Sequence, residues 1–97
     1  MSISRIGEVQ ARSESIEELR AFLVSIMPLI QASEGCTSVK LYQSKEEPSK
    51  FLMLEEWDSI ESHQASVRSI PPEKLGEIRP LLATSPRGSY FTLIDGP

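Results

Sequence analysis

The segment 54–63, with the sequence LEEWDSIESH, contains the single tryptophan and the single histidine of the chain. An imidazole that titrates near neutral pH can act as a general base toward a phenol or an activated carbon acid. In a helix, His63 shares one stripe with Ile60, Val67 and Ile70, which predicts that it faces inward. The alternative is a core histidine that is hydrogen-bonded to a backbone carbonyl or a neighbouring side chain. His63 is therefore a candidate catalytic residue, with a structural role as the alternative.

Aromatic and acidic side chains near His63 suggest what could surround it. Trp57 is predicted to point to the same face of its strand as Phe51 and Glu55. Its indole would offer a flat wall to an aromatic ligand; the alternative is that it only fills the core. A buried, unpaired carboxylate is costly, so we expect Glu55 to pair with an arginine rather than to lie at an exposed end or in a site. Tyr42 and Tyr90 could donate hydrogen bonds to substrate oxygens, although tyrosines are also common structural residues of strands.

Several kinds of chemistry have no motif in this sequence. One histidine and one cysteine cannot furnish a usual zinc site, and no glycine-rich phosphate loop or dinucleotide fingerprint occurs. Cys36 has no histidine or aspartate at a spacing typical of a nucleophile's partners. We therefore expect a site with no metal and no cofactor.

The amino-acid composition limits the kinds of partner that the protein can bind. Ten Lys and Arg against 14 Asp and Glu give a net charge of −4, with no basic stripe, which argues against nucleic-acid and anionic-membrane partners. A single cysteine suits a reducing compartment, and the N-terminal residues lack a signal-peptide core. We expect a cytoplasmic protein with one small domain over residues 1–97.

The pattern along the chain predicts alternating strands and helices. Ser15 and Glu18 form a capping-box signature, Gly35 suits a helix end, and Pro28 predicts a kink or an end near it. Asp58 is expected to cap a second helix, which must stop before the Ile-Pro-Pro step. The predicted strands are ISRIGEVQA, CTSVKLYQS, KFLMLEEW and GSYFTLIDG, with a short interrupted helix, PPEKLGEIRPLLA, before the last.

This order, strand-helix-strand-strand-helix-strand, predicts an α+β, ferredoxin-like antiparallel sheet with the helices on one face. Apolar side chains point to both faces of the third strand, with Phe51 and Met53 opposed to Leu52 and Leu54. An antiparallel sheet with one wet face should alternate between apolar and polar residues. We therefore expect a second copy of the sheet to cover the open face, which makes the protein a homodimer.

The stretch EGCTSVKLYQSKEEPSKFLMLEEWDSIESHQA resembles the antibiotic-biosynthesis-monooxygenase-like domains of the dimeric α+β barrel superfamily. The shared features are a Gly-Cys start of the second strand, a Pro-containing turn, a strand that ends in Glu-x-Trp and an acidic-Ser step into the next helix. The resemblance implies a pocket between helices and sheet in each subunit. Candidate pocket residues are Trp57, Phe22, Phe51, Tyr42 and Tyr90.

The superfamily hosts several reactions, so three functions stay open. The first is a cofactor-independent monooxygenase that acts on a hydroquinone-like or polyphenolic small molecule, with His63 as the base. The second is a non-catalytic dimer that binds a small molecule or serves in stress. The third is an isomerase of a small carbonyl compound. The haem-degrading relatives carry a Trp followed about ten residues later by a His, and the spacing from Trp57 to His63 does not match it.

Overall fold

The computed structural model describes residues 2–96, and its elements follow the predicted order. They are β1 (Ile3–Gln10), α1 (Ile16–Gln31), β2 (Cys36–Gln43), β3 (Lys50–Trp57), α2 (Ile60–Ser69), α3 (Pro72–Ile78), a 3-10 turn (Arg79–Leu81) and β4 (Arg87–Phe91). The strands form one antiparallel sheet in the order β2-β3-β1-β4. The predicted α+β, ferredoxin-like fold is therefore confirmed.

Helix α1 differs from the prediction at both ends. The Ser15 side chain makes no capping hydrogen bond, so the predicted capping box does not form. Pro28 does not end the helix, which continues to Gln31 and is closed by a 3.0 Å hydrogen bond from the Ala32 amide to the Pro28 carbonyl. Ile30, in this last turn, is buried in the core, so tertiary packing holds the turn despite the proline.

Helix α2 begins one residue later than predicted. Ser59, not Asp58, is the N-cap, and its hydroxyl accepts a 3.1 Å hydrogen bond from the Ser62 amide. The Asp58 amide instead donates to the carbonyl of Gly35, at 2.8 Å. Gly35 has a φ of 91°, a conformation that favours glycine, and a Cβ there would collide with the side chains of Asp58 and Ser62.

The odd-numbered side chains of β3 form the floor of the core. Phe51, Met53, Glu55 and Trp57 are all buried beneath the helices. From α1, the side chains Leu19, Phe22, Leu23 and Ile30 pack against this face. Trp57 is fully buried, and side chains of this size contribute a large share of core stability because the gain scales with apolar area.

The even-numbered side chains of β3 point to the other face, which no helix covers. Leu52 and Leu54 are half-buried, and so is Ile6 of β1 beside them. Two aromatic side chains, Tyr42 and Phe91, are each about half exposed on this face, at 49% and 51%. This apolar surface is called the open face below. Within residues 2–96, no helix has both the length and the apolarity needed to cross a bilayer.

Candidate active site

The site is built on one row of side chains that runs across the sheet. Arg5 of β1 is paired in register with Glu55 of β3 on one side and with Tyr90 of β4 on the other. Side chains paired in this way share a sheet face. Because Glu55 lies on the helix-facing side of β3, all three belong to that side. Helix α2 lies over the same side, and His63 is its buried residue.

His63 is held between two aromatic rings. Its Nδ1 lies 2.6 Å from the hydroxyl of Tyr90, a short hydrogen bond. The imidazole contacts Trp57 and Tyr90 edge-on, with ring centroids 5.4 Å apart in both cases. His63 is only 8% exposed, whereas Ile60 and Val67 of the predicted stripe are 37% and 43% exposed. The stripe therefore placed His63 correctly but not these two neighbours.

Glu55 is the acidic member of the group. Its Oε1 accepts a 2.8 Å hydrogen bond from the indole Nε1 of Trp57 and lies 3.9 Å from Nε2 of His63. Within residues 2–96, no arginine nitrogen lies within 4.0 Å of its carboxylate oxygens, so the arginine ion pair expected from the sequence was wrong. The reason is local: Glu55 and Trp57 stand two apart on one strand face, where the indole reaches the carboxylate directly.

Burial sets the protonation of these groups. Loss of water raises the pKa of the Glu55 carboxyl, while the Trp57 hydrogen bond and the charge of Arg5 act in the opposite direction. Burial also lowers the pKa of His63, and the positive charge of Arg5 lowers it further. At neutral pH the imidazole is therefore in the neutral form that can accept a proton.

The contacts define what the imidazole can do. The contact with Tyr90 fits two tautomers: with the proton on Nδ1, His63 donates to the Tyr90 hydroxyl and Nε2 carries the lone pair, and with the proton on Nε2, Tyr90 donates to Nδ1 and the Nε2 proton faces Glu55. A proton taken up on Nε2 would lie beside the Glu55 carboxylate, which stabilises the imidazolium. The tautomer with its proton on Nδ1 leaves Nε2 able to accept a proton, which is what a general base requires.

The predicted site residues fall into two groups. Trp57, His63 and Tyr90 lie together. Phe22 lies in the core on α1, with the Lys74 ammonium 5.8 Å from its ring centroid. Phe51 is six positions from Trp57 on β3, or roughly 20 Å along the strand. Tyr42, paired in register with Leu52, lies on the open face.

Arg5 is the member of the group that the sequence did not suggest. Its guanidinium carbon lies 4.8 Å from the centre of the Tyr90 ring. Its proximity to Glu55 and Tyr90 depends on the order β3-β1-β4 and on the strand register. One signal was present: an arginine stands at an inward-facing position of a strand, between Ile3 and Gly7.

Five cavities in the described residues are lined by side chains other than His63, Trp57 and Tyr90. Two of about 340 and 360 Å³ flank Phe51, and one of about 670 Å³ lies between α3 and the segment before β4. No cluster of three or more potential metal-ligating side chains occurs in the part of the chain that the structure describes.

Comparison with known proteins assigns the family. Residues 2–83 match the family model described as antibiotic biosynthesis monooxygenase. No match to the chain was found among curated proteins.

Solved structures share the fold over nearly the whole chain. A conserved protein of Methanosarcina mazei is 25% identical, with 94% of this chain and 91% of that one covered and a TM-score of 0.79. Rv0793 of Mycobacterium tuberculosis is 21% identical, with coverages of 99% and 98% and a TM-score of 0.83. A variant of SnoaB, a cofactor-independent oxygenase of Streptomyces nogalater, is 10% identical, with coverages of 98% and 95% and a TM-score of 0.80. The family model matches residues 2–83 of this 97-residue chain, and the chain therefore belongs to the antibiotic biosynthesis monooxygenase family.

Proposed function

We propose that the protein is a cofactor-independent monooxygenase that acts on a hydroquinone-like or polyphenolic small molecule. One observation carries the proposal: a buried, neutral imidazole is fixed by Tyr90 through Nδ1, and its Nε2 faces Glu55. Membership of the monooxygenase family and the likeness of fold to a cofactor-independent oxygenase support it. Trp57, the predicted aromatic wall, is fully buried and packs edge-on against the imidazole, so its contact with the ring of the substrate is part of this proposal and requires the site to open.

The reaction draws its electrons from the substrate. His63 takes a phenolic proton on Nε2, and the electron-rich phenolate transfers an electron to O₂. The resulting radical pair joins to form a carbon–oxygen bond, and the O–O bond then breaks. For a hydroquinone, the balance is one O₂ consumed and a hydroxyquinone and one water formed, with four electrons passing from substrate to oxygen. The low-dielectric site strengthens every hydrogen bond to the developing charge.

The proposed assembly is a homodimer through the open face. This surface carries apolar side chains from all four strands, including Ile6, Leu54, Tyr42 and Phe91. A chain of 97 residues also buries a small core of its own, so association through such a face adds stability that the monomer lacks.

The test is oxygen consumption by metal-stripped protein with a panel of hydroquinones and polyphenols. We expect uptake by the wild type, a collapse in His63→Ala, and a loss of about 10²-fold or more in Tyr90→Phe, because the base loses its orienting partner. Ser89→Ala is the matched control: it removes a hydroxyl from the adjacent position of β4, on the other sheet face. It should retain full uptake.

Other outcomes separate the alternatives. A ligand-induced rise in melting temperature without product would indicate a binding protein. Proton exchange into a carbonyl substrate without oxygen uptake would indicate an isomerase. Uptake that persists in correctly folded His63→Ala would keep the oxygenase and remove His63 from its mechanism.

A further inference from the structure

Arg5 occupies the centre of the site and has space made for it. Its guanidinium lies over the Tyr90 ring, with Cζ 4.8 Å from the ring centre. A Cβ at Gly88 would lie only 2.6 Å from that Cζ, so the missing side chain at this position leaves room for the guanidinium. The face of an aromatic ring attracts a cation, which fixes Arg5 in this pose.

The positive charge of Arg5 is not neutralised by a contact. No carboxylate oxygen in residues 2–96 lies within 4.0 Å of its guanidinium. A guanidinium has five N–H donors, and a half-buried one without an anionic partner keeps donors available for a ligand. Glu55, the nearest acidic neighbour in register, is already hydrogen-bonded to Trp57.

We infer that Arg5 binds the oxygen anion of the ligand, so that this site takes phenols in their ionised, phenolate form. That the ligand is a phenol rests on the proposed function. That the ligand is an anion rests on Arg5, whose charge has no carboxylate partner within 4.0 Å in the described part of the chain. The phenolic O–H bond breaks, its proton passes to Nε2 of His63 or to solvent, and no electron moves in this step. Arg5 thus stabilises the charge that the base creates.

The groups that face Arg5 from the packed elements determine the size of the effect. Glu55 of β3 is paired with it in register, but its carboxylate oxygens are more than 4.0 Å from the guanidinium nitrogens, and one of them accepts the Trp57 hydrogen bond. Tyr90 of β4 offers a neutral ring, and α2 contributes His63, whose pKa is lowered. From β2, the Cys36 thiol lies near Glu55, and burial raises its pKa, so it stays neutral. Arg5 is therefore the cation of the site, and no carboxylate among the described residues contacts it.

The experiment is a spectroscopic titration of bound 4-nitrophenol, whose phenolate absorbs visible light. In the wild type, we expect the pKa of the bound phenol to lie below that of free phenol by about 1 to 3, the effect of an opposite charge within contact range. Arg5→Gln should abolish this shift and weaken binding of the phenolate by about tenfold or more. Gly88→Ala keeps the charge but displaces the guanidinium, and should lose part of the shift. Arg20→Gln, on the exposed surface of α1, is the control and should match the wild type.

The outcomes test the inference separately from the enzymatic activity. If bound 4-nitrophenol shows the same pKa shift in folded Arg5→Gln as in the wild type, the inference is overturned. It is also overturned if the wild type binds no 4-nitrophenol, or binds it in the neutral form. A shift that depends on Arg5, in a protein that consumes no oxygen with any phenol, would support the inference and refute the oxygenase. Circular dichroism checks that each variant is folded, and Gly88→Ala provides a second test if Arg5→Gln is not.

Discussion

The hydrogen bond from Trp57 to Glu55 makes a sharp prediction about stability. Trp57→Phe keeps an aromatic ring but removes the indole N–H that donates a 2.8 Å hydrogen bond to the Glu55 carboxylate. A hydrogen bond to a charged group contributes about 1.5 to 3 kcal/mol, and the cavity left by the smaller ring adds about 1 kcal/mol. We expect the free energy of unfolding to fall by about 2.5 to 4 kcal/mol where Glu55 is ionised.

The loss should depend on pH, with a defined sign. Burial raises the pKa of Glu55 above 4.5, and the indole holds it down, so Trp57→Phe should raise this pKa further. As pH rises through 4.5, the unfolded chain releases the proton first, and stability falls until the folded pKa is passed. The fall is larger in the variant. The difference between the two proteins should therefore grow with pH, by about 1 to 1.5 kcal/mol in all, the amount by which a hydrogen bond to a charged group exceeds one to a neutral group.

Urea unfolding at several pH values, with protein concentration held fixed, measures this difference. In a Glu55→Gln background, the pH-dependent part should vanish, because no carboxylate remains to ionise. In a Glu56→Gln background it should persist, because Glu56 bonds to Ser4 on the other sheet face. A destabilisation by Trp57→Phe that is the same at every pH would refute the reasoning and reduce the effect of Trp57 to packing.

Two further predictions concern the N-terminal end of α2 and the open face. Ser59→Ala removes the N-cap hydroxyl and should destabilise the protein by about 1 kcal/mol, which lowers the melting temperature by about 4 to 8 °C. Asp58→Ala should lower the stability by less. If Asp58→Ala were the more destabilising change, the assignment of Ser59 as the N-cap would be contradicted. Leu54→Lys places a charge in the proposed dimer interface, so sedimentation should show a monomer. A wild type that already sediments as a monomer would reject that interface.

The fold was largely predictable because its signals are local. Apolar spacing predicted the helices, and the Pro-containing turn predicted the β2–β3 hairpin. The errors occur where tertiary contacts override a local preference. Helix α1 passes Pro28 because Ile30 is buried beyond it, and Ser59 caps α2 because the Asp58 amide is bonded to Gly35.

The site was only partly predictable because it depends on pairing between distant strands. Helical spacing alone predicted that His63 faces inward. Its contact with Tyr90 joins residues 27 positions apart, and the place of Arg5 between Glu55 and Tyr90 follows from strand order. Neither the order nor the register can be obtained from the spacing of residues within one segment.

The alternation of side chains along β3 has a consequence for how this protein can evolve. Glu55 and Trp57 point toward His63, whereas Leu52 and Leu54 point toward the open face. Single substitutions can therefore alter ligand preference and self-association independently, on one short strand. A deletion or insertion of one residue within it would turn the side chains on one side of the change to the opposite face, which would mix leucines into the site side or move the carboxylate and the indole to the open face. Lineages that carry this strand should accordingly diverge by substitution, with changes of length confined to the turns.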